Sequence, residues 1–188
     1  MNQAPLNKSR DDKFIFVLNL PKALKEINNN TARNNNQVSS STLEFSVFGT
    51  ITPSINIESV TVPYAAQSIK VSSHARKPVS DITFDFKVDN EWRNYWVIYK
   101  WLDLLNDVKK GTYDADNLFP SRGGQLLDAY SATFSVYGLD EYDNRKIQFD
   151  YIGAFPTALK EVNWNYTNGS EIASSVTFSF TRMEAKLI

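Results

Sequence analysis

Few residues in this chain are of a type and spacing that could do chemistry. The one histidine, His74, sits in a polar run ahead of Pro78, with no second histidine to share a metal. It reads as an exposed loop residue, not a general base. Asp114 and Asp116, followed by Asn117, have a spacing that suits calcium. An EF-hand loop, however, needs Gly at its sixth position and Glu at its twelfth, where this chain has Phe119 and Gln125. Cysteine is absent, which excludes disulfides, zinc–thiolate sites and thiol nucleophiles. Neither a P-loop, a Rossmann glycine fingerprint nor a G-x-S-x-G elbow occurs, and Gly123-Gly124 alone marks a loop. Asn165 opens a glycosylation sequon that means little without a secretion signal. No catalytic residue, metal or cofactor is therefore expected, and the chain does not read as an enzyme.

Trp92, Trp96 and Trp101 form the remaining candidate, a platform on which a sugar ring could stack. Their spacing instead places them on one helical stripe with Tyr99, Leu102 and Leu105. That stripe is read as packing in the core or between subunits. The rival reading is a carbohydrate-binding β-sandwich, which requires Trp92 or Trp101 to face solvent.

Composition sets the class. The chain has 188 residues, 42% hydrophobic and 22% charged, with a net charge of −1, enough for one domain with a sizeable core. That balance does not imply a nucleic-acid-binding face, because phosphate binding needs concentrated basic charge. The absence of cysteine mildly favours assembly in a reducing cytoplasm. The polar start has no signal-peptide core, and no run is long enough to span a membrane.

The elements that position these residues are mostly strands. Residues 1–12 read as a flexible arm, 13–20 as a strand, 22–27 as a helical turn and 28–42 as an Asn/Ser-rich loop. That loop is either an arm that orders on a neighbour or a tolerated insertion. Residues 43–51 alternate as a strand. Short strands are expected around Ile55, Ile57, Val60 and Val62 and around Ile69 and Val71, punctuated by Pro53, Pro63 and Pro78. The cleanest strand is 80–88, with Ile82, Phe84, Phe86 and Val88 on one face and Asp81, Thr83, Asp85 and Lys87 on the other. A helix is expected over 90–110, capped by Asp89 or Asn90 and closed at Gly111. A loop follows over 111–129, then strands at 130–137, 146–152, 161–166 and 172–181, with a turn at Asn168-Gly169.

One resemblance can now be named. The segment 76–102, running from Arg76-Lys77-Pro78 through the alternating strand into the Trp92 helix, resembles a block in the tail tube proteins of contractile-tailed bacteriophages. Gly153-Ala154-Phe155-Pro156-Thr157 resembles that family's Gly-x-x-Pro-Thr corner. Val162-Asn163-Trp164 resembles its next strand with a buried Trp, and Glu171-Ile172 with Val176-Thr177-Phe178 its closing strand. Residues 48–62 are similar in position to its early strand pair. The resemblance implies a mainly β fold with one principal helix (α+β), a β-sandwich or split barrel spanning 1–188 as one domain.

It also implies hexameric rings stacked into a hollow tube within a virion tail, assembled in the host cytoplasm. Each copy would add strands to a shared barrel through which DNA passes without specific binding. Asp81, Thr83, Asp85 and Lys87 are the candidate channel lining. The arm 1–12 and the loops 28–42 and 111–129 are the candidate inter-ring contacts. The implied partners are further copies, sheath, and baseplate or terminator proteins, with no membrane. An end ring at the baseplate, or the inner tube of a bacterial contractile injection system, would share the same features.

Overall fold

The computed structural model describes residues 9–21, 23–25, 46–50, 52–109, 111, 129–167 and 169–188. Its elements in chain order are β1 (Phe14–Leu18), β2 (Ser46–Thr50), β3 (Ile57–Tyr64), β4 (Gln67–Arg76), β5 (Ile82–Lys87), α1 (Arg93–Leu105), β6 (Ala132–Leu139), β7 (Arg145–Leu159), β8 (Ala173–Ser179) and β9 (Arg182–Leu187). Seven strands form one antiparallel sheet in the order β1-β6-β7-β8-β5-β2, with β9 also on β7. Strands β3 and β4 form a separate two-stranded sheet.

The large sheet is folded over on itself at β7. The first half of β7 pairs with β6 on one side and β9 on the other. Its second half pairs with β8. The ladder keeps one register from Ile147↔Leu187 to Pro156↔Phe178, so β8 and β9 are one strand interrupted at Phe180-Thr181. The bend falls opposite that interruption, at Gly153, whose φ is +66°. A Cβ there would lie 2.6 Å from Thr181 Oγ1. Both the left-handed backbone and the close approach require glycine. The Gly-x-x-Pro-Thr corner is thus a bend inside one 15-residue strand. It carries the chain from a first layer (β1, β6, β9 and the start of β7) into a second (β2, β5, β8 and the end of β7).

Aromatic rings meet between the layers. Phe16 of the first layer lies 4.5 Å from Phe84 of the second, and Phe134 lies 5.2 Å from Phe84 and 5.3 Å from Phe178. Ile82, Phe84, Phe86, Phe134, Tyr151, Val176 and Phe178 are all buried. Burial pushes the Tyr151 phenol up to about 12, with Thr52 pulling the other way. The alternation of β5 is as its sequence dictates: Ile82, Phe84 and Phe86 point inward, and Asp81, Thr83 and Asp85 are exposed.

Helix α1 flanks this core. Asp89 caps it, its carboxylate accepting from the backbone N–H of Arg93 (2.8 Å) and Asn94 (3.3 Å). The helix is shorter than expected at both ends. Trp92 precedes it with φ +59°, and Asn106 ends it in extended conformation. Its buried face is Asn94, Val97, Ile98, Trp101 and Leu104. The expected stripe of Trp92, Trp96, Tyr99, Leu102 and Leu105 is rotated from this face. Tyr99 is 46% exposed and is no core residue, while Trp92, Trp96, Leu102 and Leu105 are half-buried. Trp92, Trp96 and Tyr99 keep a polar edge at the boundary, while Val97, Ile98 and Leu104 fill the interior beside Trp101, whose indole N–H finds a partner in the Tyr130 carbonyl.

Three further expectations change. Residues 161–166 form no strand, and Trp164 is 73% exposed. Pro63 lies inside β3 and does not end it. The tail after Thr181 forms β9, an element the sequence did not signal.

Candidate assembly surfaces

Among the described residues, no reactive constellation emerges. His74 is exposed, but on β4 and with φ +56°, not in a loop. Among the described residues, no group of three or more His, Cys, Asp or Glu is placed to hold a metal. Asp114 and Asp116 lie outside the described residues, as do the loop 28–42, residues 1–8 of the arm 1–12 and residues 112–128 of the loop 111–129. Trp101 is fully buried, donating its indole N–H to the Tyr130 carbonyl at 2.7 Å, so it cannot stack a sugar. Trp92 is covered by Trp164, ring on ring at 5.1 Å and 17°. Among the described residues, no helix is long and apolar enough to cross a membrane.

What the described residues do present is exposed surface, in three parts. The first is the wet face of the second layer. The register sets Thr83 opposite Thr177, Asp85 opposite Ser175 and Ile82 opposite Phe178, so Asp81, Thr83, Asp85 and Lys87 share a face with Ser175, Thr177 and Ser179. The Thr83 and Thr177 hydroxyls are 3.0 Å apart. Lys87 lies 3.5 Å from Glu171, which offsets its charge. The face is therefore small, hydroxylated and slightly acidic. The β8 half was not read as part of it from sequence, although the alternation of 173–179 was visible.

The second part is a pair of free edges. Among the described residues, β2 pairs only with β5, and residues 155–159 of β7 pair only with β8. Unpaired backbone edges of this kind template pairing with another strand.

The third part is the β3–β4 hairpin. Every strand residue in it except Ser73 is exposed. The pairs Val60↔Val71, Val62↔Ile69 and Tyr64↔Gln67 gather its apolar side chains on one face, leaving Ser59, Thr61, Ser68, Lys70 and Ser72 on the other. Val60, Val62, Ile69 and Val71 are strand residues as expected, but the hairpin itself carries no sequence signal, because Pro63 looks like a break and the turn lacks Asn-Gly.

The outer face of the first layer behaves differently. Asp150, 7% exposed, accepts from Ser135 Oγ (2.6 Å), Gln148 Nε2 (2.6 Å) and Lys186 Nζ (2.9 Å), tying β6, β7 and β9 together. Burial works against its charge, but these donors outweigh burial and hold the carboxyl below its usual range. A carboxyl depressed in the folded state adds stability above its unfolded value, which is lost as pH falls through the folded one. Asp150→Asn is expected to cost about 2 kcal/mol at neutral pH. In urea titrations the gap between wild type and variant narrows as pH drops below about 4. A gap that stays constant with pH would show that the carboxylate is not what joins these strands.

The profile of the phage tail tube protein family matches residues 9–186. The chain belongs to that family. Membership makes it a component of phage or phage-like tails and a structural protein by kind. Among solved structures, this tail tube protein resembles the sheath–tube complex of an extracellular contractile injection system, PVC, in its extended state. There the TM-score is 0.59 at 10% identity, covering 96% of this chain and 93% of that one. It also resembles the tube-terminating cap of the anti-feeding prophage, with TM-score 0.61, 14% identity, and coverage of 100% and 97%. The PVC sheath/tube terminator gives 0.55 at 11% identity, covering 97% and 99%. At such identities the likeness is one of fold, mainly β with an antiparallel sheet. No curated protein matches the chain.

Proposed function

We propose that this tail tube protein builds a hollow cylinder by joining copies of itself edge to edge into hexameric rings that stack. The β2 edge of one copy meets the free edge of residues 155–159 of the next. The observation that carries this reading is the second layer itself. It has four strands that alternate in direction and end on two unpaired edges. Because successive strands alternate, β2 of one copy runs antiparallel to β7 of its neighbour, so the ring closes as an all-antiparallel barrel without exposed edges. The face carrying Asp81, Thr83, Asp85, Lys87, Ser175 and Thr177 then lines the channel. A lining without free basic charge lets DNA pass without gripping its phosphates. The half-buried aromatic flank of α1 and the exposed Trp164 face outward, toward sheath, baseplate or terminator proteins. The likeness to a tube-terminating cap and a terminator supports a second form of this reading, a ring at one end of a tube.

The absence of cysteine makes the test direct. Phe48→Cys with Thr157→Cys places one thiol on each exposed edge, and mild oxidation is expected to give a ladder of crosslinked species ending at six. Electron micrographs of the unmodified protein are expected to show rings or short tubes. Monomers in both experiments, at all concentrations, overturn the proposal.

A further inference from the structure

The two ends of the second layer expose different chemistry. Its ladder runs from Ile82↔Phe178 at one end to Lys87↔Ala173 at the other. The β7 bend and the start of β9 lie at the first end, since Phe155 pairs with Ser179 and Ile152 with Arg182. There a cavity of about 330 Å³ is lined by Ser131, Thr133, Ile152, Gly153, Thr181 and Arg182, and none of the described residues around it carries a carboxylate. No hydrogen bond ties the hydroxyls of Ser131, Thr133 or Thr181 to another described residue. Arg182 Nε lies 3.3 Å from Glu184, a carboxylate it shares with Lys186 at 3.5 Å. The two terminal nitrogens of the guanidinium keep their N–H groups free among the described residues. A forked cation beside three uncommitted hydroxyls suits a carboxylate, which accepts two parallel hydrogen bonds from arginine and more from hydroxyls.

The opposite end offers that carboxylate. Strand β7 leaves its ladder at Lys160, whose N–H donates to the Ser175 carbonyl at 2.8 Å and whose carbonyl accepts from Ser174 Oγ at 2.9 Å. Glu161 follows, one step nearer the Lys87 end. It is exposed and has no ion-pair partner among the described residues, whereas Glu171 is taken by Lys87 and Glu91 by Arg93. A free carboxylate and a free guanidinium thus stand at opposite ends of one sheet, as head-to-tail stacking requires.

We propose that Glu161 of one copy enters the Arg182 cavity of a copy in the next ring, one such pair per subunit. The contact deepens the tube reading and rests on it. A single exposed ion pair is worth little. Repeated around a ring, the pairs act together, and reversing one charge turns every one of them into a repulsion. Because the contact joins unlike ends, it also fixes the direction in which rings add.

Charge exchange in the full chain tests this contact. Arg182→Glu and Glu161→Arg are each expected to leave rings intact and to shorten stacks about tenfold in electron micrographs. The double variant, with the charges swapped, is expected to restore their length. Glu161 lies outside every strand, so Glu161→Arg probes the contact without touching a ladder. Full-length stacks from either single variant overturn the proposal, and so does a double variant as short as its parents. Wild-type rings that never stack overturn it too, while leaving the edge-to-edge joint standing. A wild type that forms neither rings nor stacks overturns the tube reading, and this contact with it.

Discussion

Gly153→Ala is expected to destabilise the subunit by about 3 kcal/mol, the largest effect of any single added methyl group. Two causes add. A side chain at φ +66° costs about 1–2 kcal/mol of backbone strain. The new Cβ also meets Thr181, 2.6 Å from its Oγ1 and 3.2 Å from its Cβ, at the joint between β8 and β9. The Thr181 N–H donates to the Ile152 carbonyl at 3.0 Å, so Thr181 cannot step aside without loosening the ladder. Urea unfolding of Gly153→Ala, Thr181→Gly and the double variant separates the two. The double variant is expected to recover the contact share and keep the strain share. A Gly153→Ala chain as stable as wild type would mean that the bend does not need its left-handed residue.

Trp101→Ala is expected to cost about 4 kcal/mol, and Tyr99→Ala under about 0.5 kcal/mol. Trp101 is fully buried, with its ring 5.6 Å from Phe178 and its N–H satisfied by Tyr130. Removing it leaves a cavity at the junction of helix and sheet and orphans the Tyr130 carbonyl. Tyr99 stands on the opposite side of α1, with Lys100 near its ring at 5.8 Å. Thermal or urea melts of the two variants locate the helix face that carries the core. Equal losses would restore the stripe drawn from spacing alone.

That contrast shows what the sequence could and could not say. Where one face is wholly apolar and the other wholly polar, as in β5, period fixes both fold and orientation. The wet residues Asp81, Thr83, Asp85 and Lys87 were legible for this reason. In α1, aromatic residues occupy the boundary and were counted as interior. Asn94, which no hydropathy pattern would choose, is 1% exposed because its amide donates to the Lys87 carbonyl at 2.7 Å. Strand β9 was invisible because its ladder includes Glu184 and Lys186: Lys186 is held by Asp150 across the sheet, and Glu184 lies 3.5 Å from Lys186, so neither place is set by burial. Trp164 was expected inside a strand, yet it closes over Trp92 from a loop, a contact only tertiary structure supplies. The hairpin was hidden by its turn, because alanines give no turn signal even where both take positive φ.

The bent β7 ladder also bears on mechanics. One ribbon serves both layers, so neither can slide or swing relative to the other without rupturing hydrogen bonds along its length. In the cylinder proposed above, each copy would behave as a stiff voussoir, and any twist or stretch imposed on the whole would be absorbed at the joints between stones.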